Sequence, residues 1–247
     1  MTTTATFNGI ELLGLHLDGR PAAGSDDKEI VDLNPYTDET ILTLRGASQE
    51  DVDHAYESAR TAQREWATRT PNQRAKVIQR AAELLEERRE EIVSWLIAES
   101  GSTALKANKE VSLAAAITRE AATFPARMTG QIFPSNTPGK EVRVYRKPLG
   151  VVGVISPWNF PLHLSQRSVA PALALGNAVV LKPASDTPVT GGLIIAEIFA
   201  EAGLPAGVLN VVAGRGSTIG DYFVEHEVPA LISFTGSTPV GRGVGAK

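Results

Sequence analysis

Four apolar runs constrain this 247-residue chain more than any other feature: "GVVGVI" (150–155), "NAVVLKP" (177–183), "GVLNVVAG" (207–214) and "PALISFTG" (229–236). Each is almost unbroken in Val, Ile and Leu, as strands buried on both faces require; a half-exposed strand would alternate with polar residues. Between them lie helical stretches at about 164–175, 187–202 and 216–225. Strand–helix–strand repetition of this kind predicts an α/β fold, a parallel sheet with crossover helices.

The first half has a different texture. Residues 1–47 read as short strands and turns, with Asp18-Gly19 and "NPYTDE" (34–39) as the turn signals. Three helical segments follow. The first, 48–66, opens on a capping-box-like Ser48 and Asp51. The second, 71–100, starts at Pro71 and carries Ile78, Leu85, Ile92 and Leu96 at helical spacing until Gly101. The third covers about 105–127. The stretch "EVRVYRKP" (141–148) alternates charged and β-favouring residues, as an exposed edge strand does.

Composition narrows the function classes. The net charge of −4 speaks against a nucleic-acid binder, and the longest apolar runs are too short to span a bilayer. No basic-then-apolar leader opens the sequence, so a cytoplasmic location is expected. His16, His54, His163 and His226 are scattered, with no metal-ligand spacing, so no metal is expected. There is no cysteine, which removes disulfides, thiolate metal sites and any cysteine nucleophile from these residues.

In open α/β sheets ligands sit beyond the carboxyl ends of the strands. The four loops there are "SPWNFP", "KPASDTP", "GRGSTIG" and "TGSTPVG". Asn159 sits between Pro157 and Pro161 on a stiffened backbone, and a preorganised side-chain N–H suits stabilisation of a developing oxyanion. It equally reads as an Asx-turn satisfying its own backbone. Trp158 and Phe160 read as pocket walls or as packing. Lys182 ends a buried run and can donate to sugar hydroxyls or phosphate, or snorkel to solvent. "GRGST" and "TGSTPVG", with Ser237 and Thr238, read as phosphate-accepting helix starts or as plain turns and caps. The glycine spacing is GxGxxxG, not the usual dinucleotide fingerprint.

Taken together, "PWNFP", "GNAVVLKPASDTP", "GLPAGVLNVVAGRGSTIG" and "SFTGSTPVG" resemble the NAD(P)-dependent aldehyde dehydrogenase superfamily, in the family's order and spacing, over about residues 15–247. The wording "PWNFPLHLSQRSVAPALALGNAVVLKPASDTP" is most similar to the vanillin and benzaldehyde dehydrogenase branch. The resemblance implies a Rossmann-like cofactor domain over 149–247, incomplete at its C-terminal end, with residues 1–140 packing on it and an oligomerisation-type edge strand at 141–148. It implies Asn159 as the catalytic oxyanion donor and Lys182 on the adenosine ribose. Gly216 would lie against the adenine ring, Ser237 at the pyrophosphate, and Ile155, Ser156, Pro157 and Trp158 along the cofactor cleft. The implied activity is oxidation of an aldehyde, of aromatic type by branch, to a carboxylic acid with NAD or NADP. A homodimer or homotetramer is implied for the full-length protein.

Two departures matter. NAD-preferring relatives carry a glutamate three residues after the lysine; here Ser185 stands there, followed by Asp186. A serine does not repel a 2′-phosphate, so use of both NAD and NADP is expected unless Asp186 substitutes for the glutamate. The family's base glutamate and nucleophilic cysteine follow beyond the last motif seen here. The chain is therefore expected to be the N-terminal half of such an enzyme, truncated before the catalytic domain and inactive alone. The alternative is a non-catalytic nucleotide-binding or regulatory protein of the same fold.

Overall fold

The computed structural model describes residues 5–247. Three antiparallel hairpins open the chain: β1 (Thr6–Phe7) with β2 (Ile10–Glu11), β3 (Gly14–Leu17) with β4 (Arg20–Ala23), and β5 (Glu29–Leu33) with β6 (Thr40–Arg45). The β3–β4 turn is the expected Asp18-Gly19. Its φ angles of 52° and 76° are those a type I′ hairpin needs.

The helical layer comprises α1 (Gln49–Thr68), α2 (Pro71–Glu87), α3 (Arg89–Ser100), α4 (Ala104–Ala121) and α5 (Phe124–Arg127). The capping box on α1 is present: Ser48 Oγ accepts from the Asp51 N–H at 3.2 Å, and Asp51 Oδ2 accepts from the Ser48 N–H at 2.9 Å. The helix expected over 71–100 is in fact two. Arg88 leaves helical geometry (φ −98°, ψ 17°), and its guanidinium donates to Glu201 and Asn8, each at 2.6 Å. The break follows these long-range bonds, with no Gly or Pro to mark it. The third expected helix stops at Ala121, because Pro125 has no N–H for the Ala121 carbonyl.

An unforeseen strand, β7 (Gln131–Pro134), pairs antiparallel with β8 (Glu141–Val144) as a separate, exposed hairpin. The expected 141–148 strand thus ends at Val144.

The remaining elements alternate as expected: β9 (Val151–Ile155), α6 (Pro161–Ala174), β10 (Ala178–Lys182), α7 (Ile194–Glu201), β11 (Leu209–Val212), α8 (Asp221–Glu225), β12 (Pro229–Phe234) and α9 (Thr238–Gly245). α7 and α8 are each entered through a π-helical turn, Val189–Leu193 and Gly216–Gly220. The main sheet has the order β12-β9-β10-β11-β3-β4. β9 to β12 run parallel, and the N-terminal hairpin adds two antiparallel strands beside β11. Mixed sheets of this kind are common among large α/β folds. Every residue of β10 is buried, as its unbroken apolar run requires.

α1 covers one region of the sheet. Its Tyr56 is wholly buried and donates to the Phe223 carbonyl at 2.8 Å. Gly153 on β9 makes room there, since a Cβ would stand 2.8 Å from Tyr56 Oη and 2.6 Å from Ile232 Cδ1. Trp66, also wholly buried, donates its indole N–H to the Leu173 carbonyl at 2.8 Å and ties α1 to α6. Among the described residues no helix is long and apolar enough to cross a membrane.

Candidate functional site

The register of the sheet creates the site. Ile155 on β9 pairs with Lys182 on β10 and with Phe234 on β12, so three strands end level with one another. The loops that follow turn outward from one edge and enclose a cleft of about 600 Å³. Eight of the residues singled out from the sequence line it: Ile155, Ser156, Pro157, Trp158, Asn159, Lys182, Ser185 and Ser237. Phe160, Thr238 and Gly216 lie outside this lining; Gly216 starts the helical turn after β11, which neighbours β10. No atom would come within 4 Å of a Cβ built on Gly216, so its surface is open.

The wall after β9 is rigid. The Ser156 N–H donates to the Lys182 carbonyl at 3.3 Å, which fastens the two strand ends together. The buried Ser165 hydroxyl bridges Ser156 Oγ at 2.6 Å and the Gly191 carbonyl at 2.7 Å. Beyond this anchor Trp158 is 59% exposed, an open aromatic face between two prolines. Asn159 is exposed as well, and no hydrogen bond to a described residue holds its amide. Asn34 behaves differently: its Oδ1 accepts from the Tyr36 N–H at 2.9 Å, the Asx-turn that was the competing reading for Asn159.

Lys182 is only 6% exposed, and the nearest acceptor of its ammonium is the Pro183 carbonyl at 3.4 Å. Burial lowers its pKa from 10.5 to about 8, against the opposing pull of Asp186. A buried amine with one long contact leaves donors free for an acceptor in the cleft. Asp186 is exposed and lies in the adjoining pocket with Glu99 and Trp158, while Ser185 faces the cleft.

Across the cleft, Ser237 is the N-cap of α9 and makes no side-chain capping bond. The N-terminal N–H groups of this eight-residue helix are therefore open to an external anion. Phe234 packs beneath the loop, and a Cβ on Gly236 would fall 2.6 Å from its ring. The glycine in "FTGS" is what lets the backbone fold over that ring. Strand-end reasoning did not single out Leu164, Ala184, Phe234 or Val240, which also line the cleft.

It also missed three buried carboxylates behind the site: Glu99, Asp32 and Glu110. Glu99 on α3 accepts from the N–H groups of Val189 and Thr190 at 2.6 and 2.8 Å, and from the Thr190 hydroxyl. Burial raises its pKa to about 7, against the pull of those donors. Asp32, buried next to it, has no hydrogen-bond partner among the described residues, and burial together with the Glu99 charge pushes it up to about 9. Glu110 on α4 accepts from the His163 N–H at 3.2 Å, at the start of α6. Among the described residues no group of three or more His, Asp or Glu side chains is placed to hold a metal ion.

These features fit a dinucleotide: a buried amine at the end of β10, an open helix start after β12, and an aromatic face after β9 between them. The comparisons with known proteins agree. The model of the aldehyde dehydrogenase family matches residues 22–247. The chain is 64% identical, over 98% of its length, to a vanillin dehydrogenase of Corynebacterium glutamicum, and covers 50% of that protein. It is 50% identical over 97% of its length to a benzaldehyde dehydrogenase of Bacillus subtilis, covering 49% of it. The crystal structure of an NAD-dependent benzaldehyde dehydrogenase from Corynebacterium glutamicum superposes with a TM-score of 0.96 at 63% identity, over 98% of this chain and 52% of that one. The chain spans about half the length of the relatives it matches. With the family's model matched from residue 22 to residue 247, this chain belongs to the aldehyde dehydrogenase family.

Proposed function

We propose that this chain supplies the cofactor cleft and the oxyanion donor of an enzyme that oxidises aromatic aldehydes to carboxylic acids with NAD(P)⁺. The observation that carries the reading is the convergence of Asn159, Lys182 and Ser237, from three different strand ends, on one cleft. The similarity to vanillin and benzaldehyde dehydrogenases supports the aromatic substrate class.

In this reading Lys182 holds the adenosine ribose, the α9 start with Ser237 holds the pyrophosphate, and Gly216 offers its bare surface to the adenine. Ile155, Ser156, Pro157 and Trp158 form the wall along the nicotinamide half. Bound there, the cofactor supplies a hydride acceptor. Asn159 donates to the aldehyde oxygen as it gains negative charge; losing such a donor costs about 2.7–4 kcal/mol of transition-state stabilisation. Ser185 in the cleft, with Asp186 turned to the adjoining pocket, supports use of both NAD and NADP. The nucleophilic thiol comes from outside these 247 residues, which contain no cysteine. Residues 149–247 act as the cofactor domain, 1–140 as its support and 141–148 as an oligomerisation edge. The working protein is a cytoplasmic dimer or tetramer.

The test has two readouts. Calorimetric titration of the 247-residue chain should show NAD⁺ and NADP⁺ binding with comparable affinities. The protein as its gene encodes it should reduce NAD(P)⁺ with benzaldehyde or vanillin, and Asn159→Ala should slow turnover roughly a hundredfold or more. Binding without any aldehyde oxidation would instead favour a nucleotide-binding protein that has lost its chemistry.

A further inference from the structure

Among the described residues no hydrogen bond holds the side chain of Asn159, so its aim depends on the backbone of "WNFP". That backbone is the start of α6, and α6 begins poorly by its own means. Phe160, the N-cap, has no side-chain oxygen, and Pro161 at the first helical position offers no N–H. The next two donors, on Leu162 and His163, therefore need an acceptor from elsewhere. Glu110 of α4 serves the second of them: Oε1 accepts from the His163 N–H at 3.2 Å. Its other oxygen, Oε2, pairs with the Lys106 ammonium at 3.2 Å.

Lys106 does more than neutralise Glu110. Its Nζ lies 4.3 Å from the centroid of the Phe160 ring and 2.7 Å from Ser102 Oγ. One ammonium thus holds both the carboxylate that caps α6 and the aromatic ring adjoining Asn159. Glu110 is fully buried. Burying a carboxylate is costly unless it is fully bonded, which gives this group a fixed geometry and little freedom to relax. Neither residue lines the cleft.

We propose that Glu110 and Lys106 are positioning residues for the reaction, a remote cap and clamp that aim Asn159 by fixing the first turn of α6 and the Phe160 ring. This rests on the proposed role of Asn159 as oxyanion donor. The consequence is that a reaction carried out at β9 depends on an ion pair from a helix in the other half of the chain.

The experiment is a double-substitution cycle in the protein as its gene encodes it, with amide hydrogen exchange measured alongside. Glu110→Gln keeps an acceptor but removes the charge; Lys106→Met keeps the stem and serves if the first variant folds poorly. Each should lower kcat by roughly tenfold to a hundredfold, the cost of misplacing a donor, with the KM for NAD(P)⁺ unchanged. In an Asn159→Ala background the same substitution should have almost no further effect. The His163 amide should exchange faster in Glu110→Gln, whether or not the protein oxidises aldehydes. Unchanged exchange at that amide would overturn the cap. A lower melting temperature with unchanged kcat, or effects that simply multiply with Asn159→Ala, would overturn the positioning role. Absence of activity in the unsubstituted protein would count against the proposed function alone, and the exchange result would still decide the cap.

Discussion

Two kinds of helix start meet at the cleft. α6 and the helical turn leading into α7 are closed: a buried glutamate from another helix, Glu110 or Glu99, already occupies their N–H groups. α9 is open, with an N-cap serine that makes no side-chain capping bond. All three follow strands of the same sheet and all three carry the positive end of a helix dipole. The difference teaches how a fold selects its anion site. Where the protein supplies its own carboxylate, the helix start becomes a rigid post; where it supplies none, the same physics is left for a phosphate.

Closed groups should therefore hurt stability when removed, and open ones should hurt binding. The largest effect is expected at Glu99. Glu99→Ala strands two backbone donors and the Thr190 hydroxyl in a buried place, each worth about 1–3 kcal/mol. A fall of more than about 3 kcal/mol in urea unfolding is expected, and a fall below about 1 kcal/mol would break the comparison.

Lys182, an open group, should behave in the opposite way. Its pKa is about 8 in the folded chain against 10.5 ordinarily. Between those values the unfolded chain holds a proton that the folded chain has released, so stability should rise as pH climbs from 8 to 10.5. Lys182→Met should abolish that slope and raise the melting temperature at neutral pH by about 2–4 °C, while weakening NAD(P)⁺ binding by roughly tenfold or more. Melting curves across pH, paired with titrations, check both signs.

Ser237→Asp would close the open helix start. A carboxylate cap should stabilise the ligand-free chain by about 0.5–1 kcal/mol, yet repel a pyrophosphate and weaken cofactor binding by roughly tenfold. Stabilisation without weakened binding would place the anion elsewhere. The smallest effects sharpen the contrast between two asparagines. Asn34→Ala, losing an Asx-turn, should cost about 1 kcal/mol, whereas Asn159→Ala should change stability by less than about 0.5 kcal/mol.

Those asparagines also show what could be read from the chain itself. Asn34 precedes Pro35 and Asn159 stands two residues from Pro157 and from Pro161, and one-dimensional spacing does not say which one bonds its own backbone. Local rules succeeded where partners are close: the Ser48–Asp51 box and the Asp18-Gly19 turn. They failed where partners are remote. Glu99 and Glu110 sit in helices rich in charge, and a glutamate there is indistinguishable from a solvated one until the helix it caps is known. The helix break at Arg88 has the same origin, since its partner Glu201 lies far along the chain. β7 was hidden because "QIFPSNTPGK" carries two prolines, and an exposed hairpin needs no apolar face.

The N-terminal hairpin has a consequence for the order of assembly. Leu15 on β3 pairs with Val212 on β11, about 200 residues later. On a ribosome the hairpin emerges first, yet its place in the sheet exists only after β9, β10 and β11 have been made. Contacts of such length are slow to form, because the intervening loop must be closed before they repay its entropy. Until then Leu15 and Leu17, buried in the finished sheet, stay exposed to solvent and to other chains. Strands made early are thus seated only once β11 exists, and the window before they dock is when a nascent chain of this kind is most open to misassembly.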